Sequence, residues 1–223
     1  MNSPIESLKI VLLGEAGVGK TSIISQFVEQ TFQEDIQSSA GGTFSSKTCV
    51  YGNNQILKLE IWDTAGQERY RSLTTMFYKE ANAAVLVYDI TRKQSYEQIQ
   101  EYWSNQIKES APSDIILMLC ANKSDLINQE KVDEGEARNY ANELGAMFCS
   151  TSAKNDYGIT DLFLQIAKKY TGSDNVRIKN DNEDIPIAED TNQVERANKR
   201  GSVKITSVKS DPKVAKKKKM LLN

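Results

Sequence analysis

A glycine-rich segment near the N-terminus has the spacing of a phosphate-binding loop. Residues 14–21 read GEAGVGKT and match G-x-x-x-x-G-K-[ST]. In such a loop the glycines let backbone N–H groups surround phosphates, whose charge the following helix N-terminus favours. The Lys20 side chain would reach the β- and γ-phosphates, and the Thr21 hydroxyl would ligate magnesium. The segment therefore predicts a nucleotide site, made by Glu15, Ala16, Gly17, Val18, Gly19, Lys20, Thr21 and Ser22.

A second segment could act on the same phosphates. Residues 63–68 read DTAGQE and follow a predicted strand at 58–62. Asp63 is placed to hold magnesium through water, and the Gly66 N–H can approach the γ-phosphate. Gln67 can orient the attacking water, which is the catalytic role. A D-x-x-G sequence by itself is usually a plain turn, so its position between two other nucleotide motifs carries the prediction.

Residues 122–125, which read NKSD, indicate the base. Asp125 can accept hydrogen bonds from N1–H and the 2-amino group of guanine, a donor pair that adenine lacks. Asn122 and Lys123 would brace the loop and the base face. This tetrapeptide alone is common on protein surfaces. The prediction of a guanine site is supported by Ser152, Ala153 and Lys154, because a backbone N–H in that segment can donate to the guanine carbonyl oxygen.

The elements that must position these motifs alternate between strand and helix, which predicts βαβ units and a mostly parallel sheet. Ligands bind such sheets at the carboxyl ends of the strands, where all three motifs are predicted to lie. The turn-rich residues 51–55 predict an antiparallel hairpin between two of the strands. We predict strands at 8–13, 43–50, 56–62, 83–89, 115–121 and 147–150, and helices from about 20 and at 95–109, 133–144 and 159–170.

Over about residues 7–170, these motifs in this order resemble the four nucleotide-binding motifs of the Ras-like small GTPases. Within that superfamily residues 58–74, KLEIWDTAGQERYRSLT, resemble the Rab family of membrane-traffic GTPases. The resemblance implies an α/β P-loop GTPase fold, with a six-stranded mostly parallel sheet flanked by five helices. It also implies a switch that binds GTP or GDP with Mg²⁺, hydrolyses GTP and regulates vesicle traffic. The implied partners are exchange factors, GTPase-activating proteins, and effectors that bind the GTP form.

The resemblance assigns further residues one at a time. Phe32 matches the aromatic that packs on guanine, and Ser39 falls where the family has its switch I threonine, a magnesium ligand. A serine hydroxyl can still ligate the metal, but it lacks the methyl group that restricts rotation, so the GTP-bound loop would be less firmly ordered. Phe44, Trp62 and Phe77 occupy the positions of the aromatic triad that Rab effectors contact. On the residues alone, core packing would be the better explanation of the triad.

Two other functions stay open on the sequence. One is a nucleotide-dependent scaffold of the same fold with little intrinsic hydrolysis, which Gln67 argues against and Ser39 favours. The other is an ATP-using kinase, which residues 122–125 oppose. Single-turnover hydrolysis and nucleotide competition would separate these functions from a GTPase switch.

Length and composition predict one intracellular domain with a tail. The chain has 223 residues, of which 39% are hydrophobic and 26% are charged. This length and hydrophobic content are enough to form one domain core. Three scattered cysteines predict a reducing compartment. Residues 1–170 are predicted to form the GTPase domain. Residues 171–223 have no aromatic and are rich in polar side chains, so they are predicted to be a disordered tail.

The tail is basic towards its end. Residues 191–223 contain ten Lys or Arg against Glu195 and Asp211. No cysteine follows Cys149, so a prenyl anchor is not expected on this sequence. Lys216, Lys217, Lys218 and Lys219 instead predict weak, salt-sensitive contact of a mainly cytoplasmic protein with anionic endomembranes. A solvated tail or a nuclear-localisation-like cluster explains them equally well, and no nucleic-acid partner is expected.

Overall fold

The central sheet of the computed structural model has seven strands in the order β6-β5-β4-β1-β3-β2-β7. The structure describes residues 5–34, 42–64, 77–180 and 183. Strand β2 is antiparallel to β3 and β7, and the other pairs are parallel. The strands are β1 (Glu6–Leu13), β2 (Thr43–Tyr51), β3 (Gln55–Asp63), β4 (Ala83–Asp89), β5 (Ile116–Asn122), β6 (Met147–Thr151) and β7 (Val176–Ile178).

Five α-helices lie among the described residues. They are α1 (Lys20–Glu29), α2 (Lys93–Gln98), α3 (Ser104–Ser110), α4 (Glu134–Leu144) and α5 (Ile159–Thr171). A π-helical segment, Ile99–Trp103, joins α2 to α3, and a 3₁₀ segment, Ser124–Gln129, follows β5. In the described part of the chain, no helix has both the length and the apolar character to cross a membrane.

Both faces of the sheet are covered, which explains the continuous apolar runs in the sequence. Alternate residues of β1 point to opposite faces. Leu8, Ile10 and Leu12 belong to a core cluster that includes residues of α1 and α5. Val11 and Leu13 belong to a second cluster with residues of α4 and the helical stretch 93–110. Every residue of β4 is buried, as expected for a central strand.

Most predicted element bounds are confirmed within two residues, and so is the antiparallel hairpin. The number of strands needs correction from six to seven. The additional strand β7 lies in the segment predicted as tail, and of its three residues only Val176 is buried. It forms because its backbone pairs with the open edge of β2, with Lys179 N–H also donating to Thr48 O at 2.9 Å. Three residues in a polar stretch carry too little hydrophobic pattern to predict such pairing.

The chain divides into two units, Met1–Ala188 and Glu189–Asn223. The second unit lies outside the described residues, as do the predicted membrane-contacting lysines. The boundary between domain and tail at residue 171 stays a prediction.

Candidate nucleotide-binding site

A cavity of about 320 Å³ lies at the carboxyl edge of the parallel strands. Residues from three predicted motifs line it, although these motifs are far apart in the sequence. The predicted site residues in its wall are Ala16, Gly17, Gly19, Lys20, Thr21, Ser22, Phe32, Asn122, Lys123, Asp125, Ala153 and Lys154. The wall also includes Gln33, Glu34, Thr64 and Leu126, which are not among the site residues predicted from the sequence.

The loop between β1 and α1 has a backbone path that its glycines permit. Gly19 has φ +98°, in the left-handed region, and precedes the first residue of α1. A Cβ at Gly19 would lie 2.3 Å from Asn122 Nδ2, so any larger side chain would displace this asparagine. The neighbouring Val18 side chain is fully buried in the core and anchors the loop from below.

Lys20 is buried where the phosphate loop, residues 14–21, lines the cavity. We call this part of the cavity the phosphate end. Its Nζ donates to Gly14 O at 2.9 Å and to Glu15 O at 2.8 Å. Burial lowers the pKa of Lys20 to about 8, although the Asp63 and Glu15 carboxylates act in the opposite direction. The ammonium group is therefore held by loop carbonyls and would gain free energy from an anion that entered the cavity.

Thr21 and Asp63 bring two hard oxygen donors together beside Lys20. The Thr21 hydroxyl donates to Asp63 Oδ2 at 2.7 Å, and Asp63 is buried at the end of β3. The next residue, Thr64, donates its hydroxyl to Leu12 O at 2.6 Å and fixes the end of β3 against β1. Magnesium proteins commonly supply only one or two carboxylate or hydroxyl ligands and leave the rest to phosphates and water. The donor set fits that pattern.

Asn122 connects the phosphate loop to the end of β6. Its Nδ2 donates to Val18 O at 2.8 Å, and its Oδ1 accepts from Thr151 Oγ1 at 3.0 Å. Because Asn122 is buried, both ends of its amide are used without help from solvent. The predicted bracing role of Asn122 therefore has a direct geometric basis.

Asp125 and Lys123 line the part of the cavity that we call the base end, and each is held there by a partner. Asp125 Oδ1 accepts from Ser152 Oγ at 2.6 Å, which fixes the orientation of this carboxylate. Lys123 has φ +65°, and its Nζ pairs with Asp89 Oδ2 at 2.7 Å. Asp89 is the last residue of β4, so the rule that ligands bind at strand ends could have predicted its participation.

An exposed ion pair spans the mouth of the cavity. Lys154 Nζ lies 2.8 Å from Glu34 Oε1, with side chains 51% and 71% exposed. Their hydrogen bond lowers the pKa of Glu34 and raises that of Lys154. Phe32, two residues before Glu34, is half-exposed in the same wall. Nothing in the sequence predicted this pair, because its members are 120 residues apart.

Several predicted site residues do not line the cavity or cannot be placed. Glu15, Val18, Asp63 and Ser152 lie outside its wall, although Asp63 and Ser152 bond to residues of the wall. Ser39, Gly66 and Gln67 lie outside the described residues, so their predicted roles stay predictions.

The three aromatic residues of the predicted effector face do contact one another. The ring centroids of Phe44 and Trp62 are 5.3 Å apart, and those of Trp62 and Phe77 are 5.5 Å apart. Phe44 is 46% exposed, whereas Trp62 and Phe77 are partly buried. Lys9 lies over the Trp62 ring and Lys58 over the Phe44 ring. The cluster is therefore a partly exposed aromatic surface with cationic flanks.

The chain is similar to known proteins over the part that contains this cavity. Residues 9–172 match the Ras family. Ras-related protein Rab-22A of Homo sapiens is 40% identical over 170 residues, which cover 76% of this chain and 87% of that protein. Ras-related protein Rab-31 of Rattus norvegicus is 42% identical over 165 residues, covering 74% and 84%. Ras-related protein Rab-5A of Dictyostelium discoideum is 43% identical over 168 residues, covering 75% and 83%.

Proposed function

We propose that this chain, which belongs to the Ras family and is a Rab-type small GTPase, binds guanine nucleotide in the cavity between the phosphate loop and Asp125. Small GTPases of this type hydrolyse GTP to GDP and phosphate and act in intracellular vesicle traffic, and this chain does so as a member. The observation that supports the location best is that motifs from the ends of β1, β5 and β6 line one cavity. Each motif alone could be an ordinary turn or surface segment. Chance matches of that kind would not be expected to line one and the same cavity.

The base end recognises guanine through Asp125. Ser152 already donates to Asp125 Oδ1, which leaves Oδ2 and the remaining capacity of Oδ1 for N1–H and the 2-amino group. Adenine presents no such donor pair, and its binding would leave Asp125 Oδ2 without a donor from the base. Phe32 and Lys123 pack against the faces of the base, and the Ala153 N–H meets its carbonyl oxygen.

The phosphate end binds the β- and γ-phosphates. The N–H groups of residues 15–21 surround them, and Lys20 exchanges its loop carbonyls for phosphate oxygens. Thr21 and Asp63 would hold Mg²⁺, and Ser39 would be a further ligand in the GTP form. Magnesium, when bound, neutralises charge on the transferring phosphate. The Gly66 N–H contacts the γ-phosphate.

Hydrolysis depends on Gln67, which orients the attacking water. It is slow until a GTPase-activating protein supplies an arginine, a group worth roughly 10³–10⁵ in kcat. Rab proteins in general act with such activating proteins, with exchange factors and with effectors. For this chain, the surface of Phe44, Trp62 and Phe77 is the effector face, because its exposed ring and its two flanking lysines suit a partner with apolar and acidic side chains.

Nucleotide competition followed by single-turnover hydrolysis tests the function. GDP should displace fluorescent GDP from the full-length chain at far lower concentration than ADP does. Bound GTP should then be converted to GDP slowly, and Gln67→Leu should retain binding while losing the hydrolysis stimulated by an activating protein. Equal displacement by ADP would overturn the guanine site. Binding without any hydrolysis in the wild type would instead support a nucleotide-dependent scaffold.

The tail places this cytoplasmic protein at the cytosolic face of endomembranes through electrostatic contact. Each lysine of residues 216–219 near an anionic surface is worth about 1 kcal/mol, screened over about 8 Å at physiological salt. Four such residues give weak, reversible binding. Sedimentation with phosphatidylserine vesicles should decrease at high salt and on deletion of residues 213–223. Binding that ignores the deletion would contradict the contact.

A further inference from the structure

We propose that Arg92 is a positioning residue of the phosphate loop, which it holds in its nucleotide-binding form so that bound guanine nucleotide dissociates slowly. The inference rests on the proposed nucleotide site and assigns a role to a residue that none of the nucleotide motifs contains. Arg92 precedes α2 in the sequence and comes from the carboxyl edge of β4, next to β1 in the sheet.

The Arg92 guanidinium contacts the loop at two consecutive residues. Its Nη2 lies 2.7 Å from Glu15 Oε2, and its Nη1 donates to Ala16 O at 3.0 Å. A planar guanidinium can donate to two acceptors at once through two of its nitrogens. A lysine side chain has only one nitrogen and fits two such acceptors less well. Both contacts join parts of the chain that are more than 70 residues apart.

The backbone of Arg92 is itself fixed, so the guanidinium extends from a rigid base. Its N–H donates to Asp89 O at 3.0 Å, and its carbonyl accepts from Ser95 N–H at 2.9 Å and from Ser95 Oγ at 2.7 Å. Ser95 is fully buried. A side chain that starts from such a turn loses less conformational entropy on contact than one on a loose loop.

The contact with Ala16 O bears directly on phosphate binding. Ala16 O and the Gly17 N–H belong to the same peptide unit, which is planar and trans. The two groups therefore point in opposite directions, and fixing the carbonyl on Arg92 turns the Gly17 N–H away from Arg92. The wall of the cavity contains both Ala16 and Gly17, so the orientation of this peptide decides whether one loop donor faces the phosphates.

Gly17 lies beside Arg92. It has φ +78°, and a Cβ built there would lie 3.4 Å from Arg92 Nη1, in van der Waals contact. The guanidinium therefore lies next to Gly17 as well as bonding to Ala16. Of the two paired side chains, Glu15 is 14% exposed and Arg92 is 41% exposed, so salt reaches the pair but screens it incompletely.

The test measures dissociation of fluorescent GDP from the full-length chain in a set of matched variants. Arg92→Ala should increase the rate about fivefold to tenfold, as expected for losing two hydrogen bonds that involve a charged group at a half-exposed site. Glu15→Ala, which leaves the Ala16 contact intact, should have a smaller effect. The double variant should match Arg92→Ala alone, because the Glu15 carboxylate acts through Arg92. Arg92→Lys should fall between the wild type and Arg92→Ala.

Lys93→Ala is the matched control. Lys93 is the next residue, carries the same charge and pairs only with Glu97 at 3.9 Å in the described contacts, away from the loop. It should leave dissociation unchanged. Melting temperature, measured in parallel, separates loop positioning from general loss of stability, because Arg92→Lys should dissociate GDP more slowly than Arg92→Ala while the two variants melt at nearly the same temperature.

The outcomes distinguish this inference from the function on which it rests. A wild-type chain that bound no guanine nucleotide would overturn both. Tight wild-type binding, with equal dissociation rates for wild type, Arg92→Ala and Lys93→Ala, would overturn the role of Arg92 alone. An equal increase in Arg92→Ala and Lys93→Ala would reduce the effect to net charge and also overturn it.

Discussion

The phosphate end of the cavity is built from loop backbone and buried side chains, whereas the base end is closed by an ion pair on the surface. At the phosphate end, Lys20, Asp63 and Asn122 are all buried, and each is hydrogen-bonded to the phosphate loop or to Thr21 at its end. At the base end, Lys154 and Glu34 meet in solvent. Groups that must stabilise charge act best when fixed in advance in a site of low dielectric constant. A mouth through which the nucleotide enters and leaves needs contacts that can open.

Asp125→Asn should give the largest effect and tests the base end. The amide would offer a donor where guanine also offers a donor, so GTP affinity should fall by about 10⁴–10⁵, as for a site built to hydrogen-bond its ligand that is given the wrong partner. Xanthosine triphosphate, which presents an acceptor there, should bind better than GTP. Competition against fluorescent GDP measures both. Unchanged preference for GTP would show that Asp125 does not read the base.

Asn122→Ala should give the next largest effect and tests whether the two ends are separate. It leaves the buried Val18 carbonyl without its donor, at a cost of about 1–3 kcal/mol, or roughly fivefold to 150-fold in GDP dissociation. The loss should be equal for GDP and inosine diphosphate, because Asn122 acts on the phosphate loop and not on the 2-amino group.

Asp125→Ala is the contrasting variant, since it should change the ratio of these two nucleotides. If Asn122→Ala changed the ratio by the same factor, Asn122 would belong to the base end and the proposed division of the cavity would be wrong.

The pH dependence of GDP binding tests the phosphate end through Lys20. Its pKa of about 8 means that half of the nucleotide-free sites are neutral at pH 8. Phosphates favour the charged form, so binding should take up about half a proton at pH 8 and affinity should fall as pH rises above 8. Below pH 7 the uptake from this group should vanish. Calorimetry in two buffers of different ionisation enthalpy measures the uptake, and none at pH 8 would mean that Lys20 is already charged in the free protein.

The same comparison explains how much of the site could be predicted from the sequence. Lys20, Thr21, Asn122 and Asp125 lie in short motifs with fixed spacing at the ends of strands, and spacing is visible in a sequence. The cavity brings these residues together. Arg92 and Glu34 are single charged residues in loops, and their partners are set by tertiary contacts across 77 and 120 residues.

The fold shows the same limit. Strands covered on both faces have long apolar runs, so β1, β4 and β5 could be predicted. Strand β7 forms by backbone pairing with an edge, which leaves almost no pattern in side chains. Its one buried residue, Val176, is not enough to distinguish a strand from a tail.

Glu34→Gln should give the smallest effect, because the ion pair that it breaks lies in solvent. Exposed pairs contribute little, so GDP dissociation should increase only about twofold at low salt. Since Lys154 lowers the pKa of Glu34, the carboxylate stays charged at a lower pH than an ordinary glutamate does. Salt is therefore a better probe of the pair than mild acid. At about 1 M salt the Debye length is near 3 Å, and the rates of wild type and variant should converge. Glu134→Gln is the matched control, since it breaks another exposed pair, with Arg138 on α4, outside the wall of the cavity. A twofold difference that persisted at 1 M salt, or that Glu134→Gln reproduced, would mean that the mouth is closed by something other than this pair.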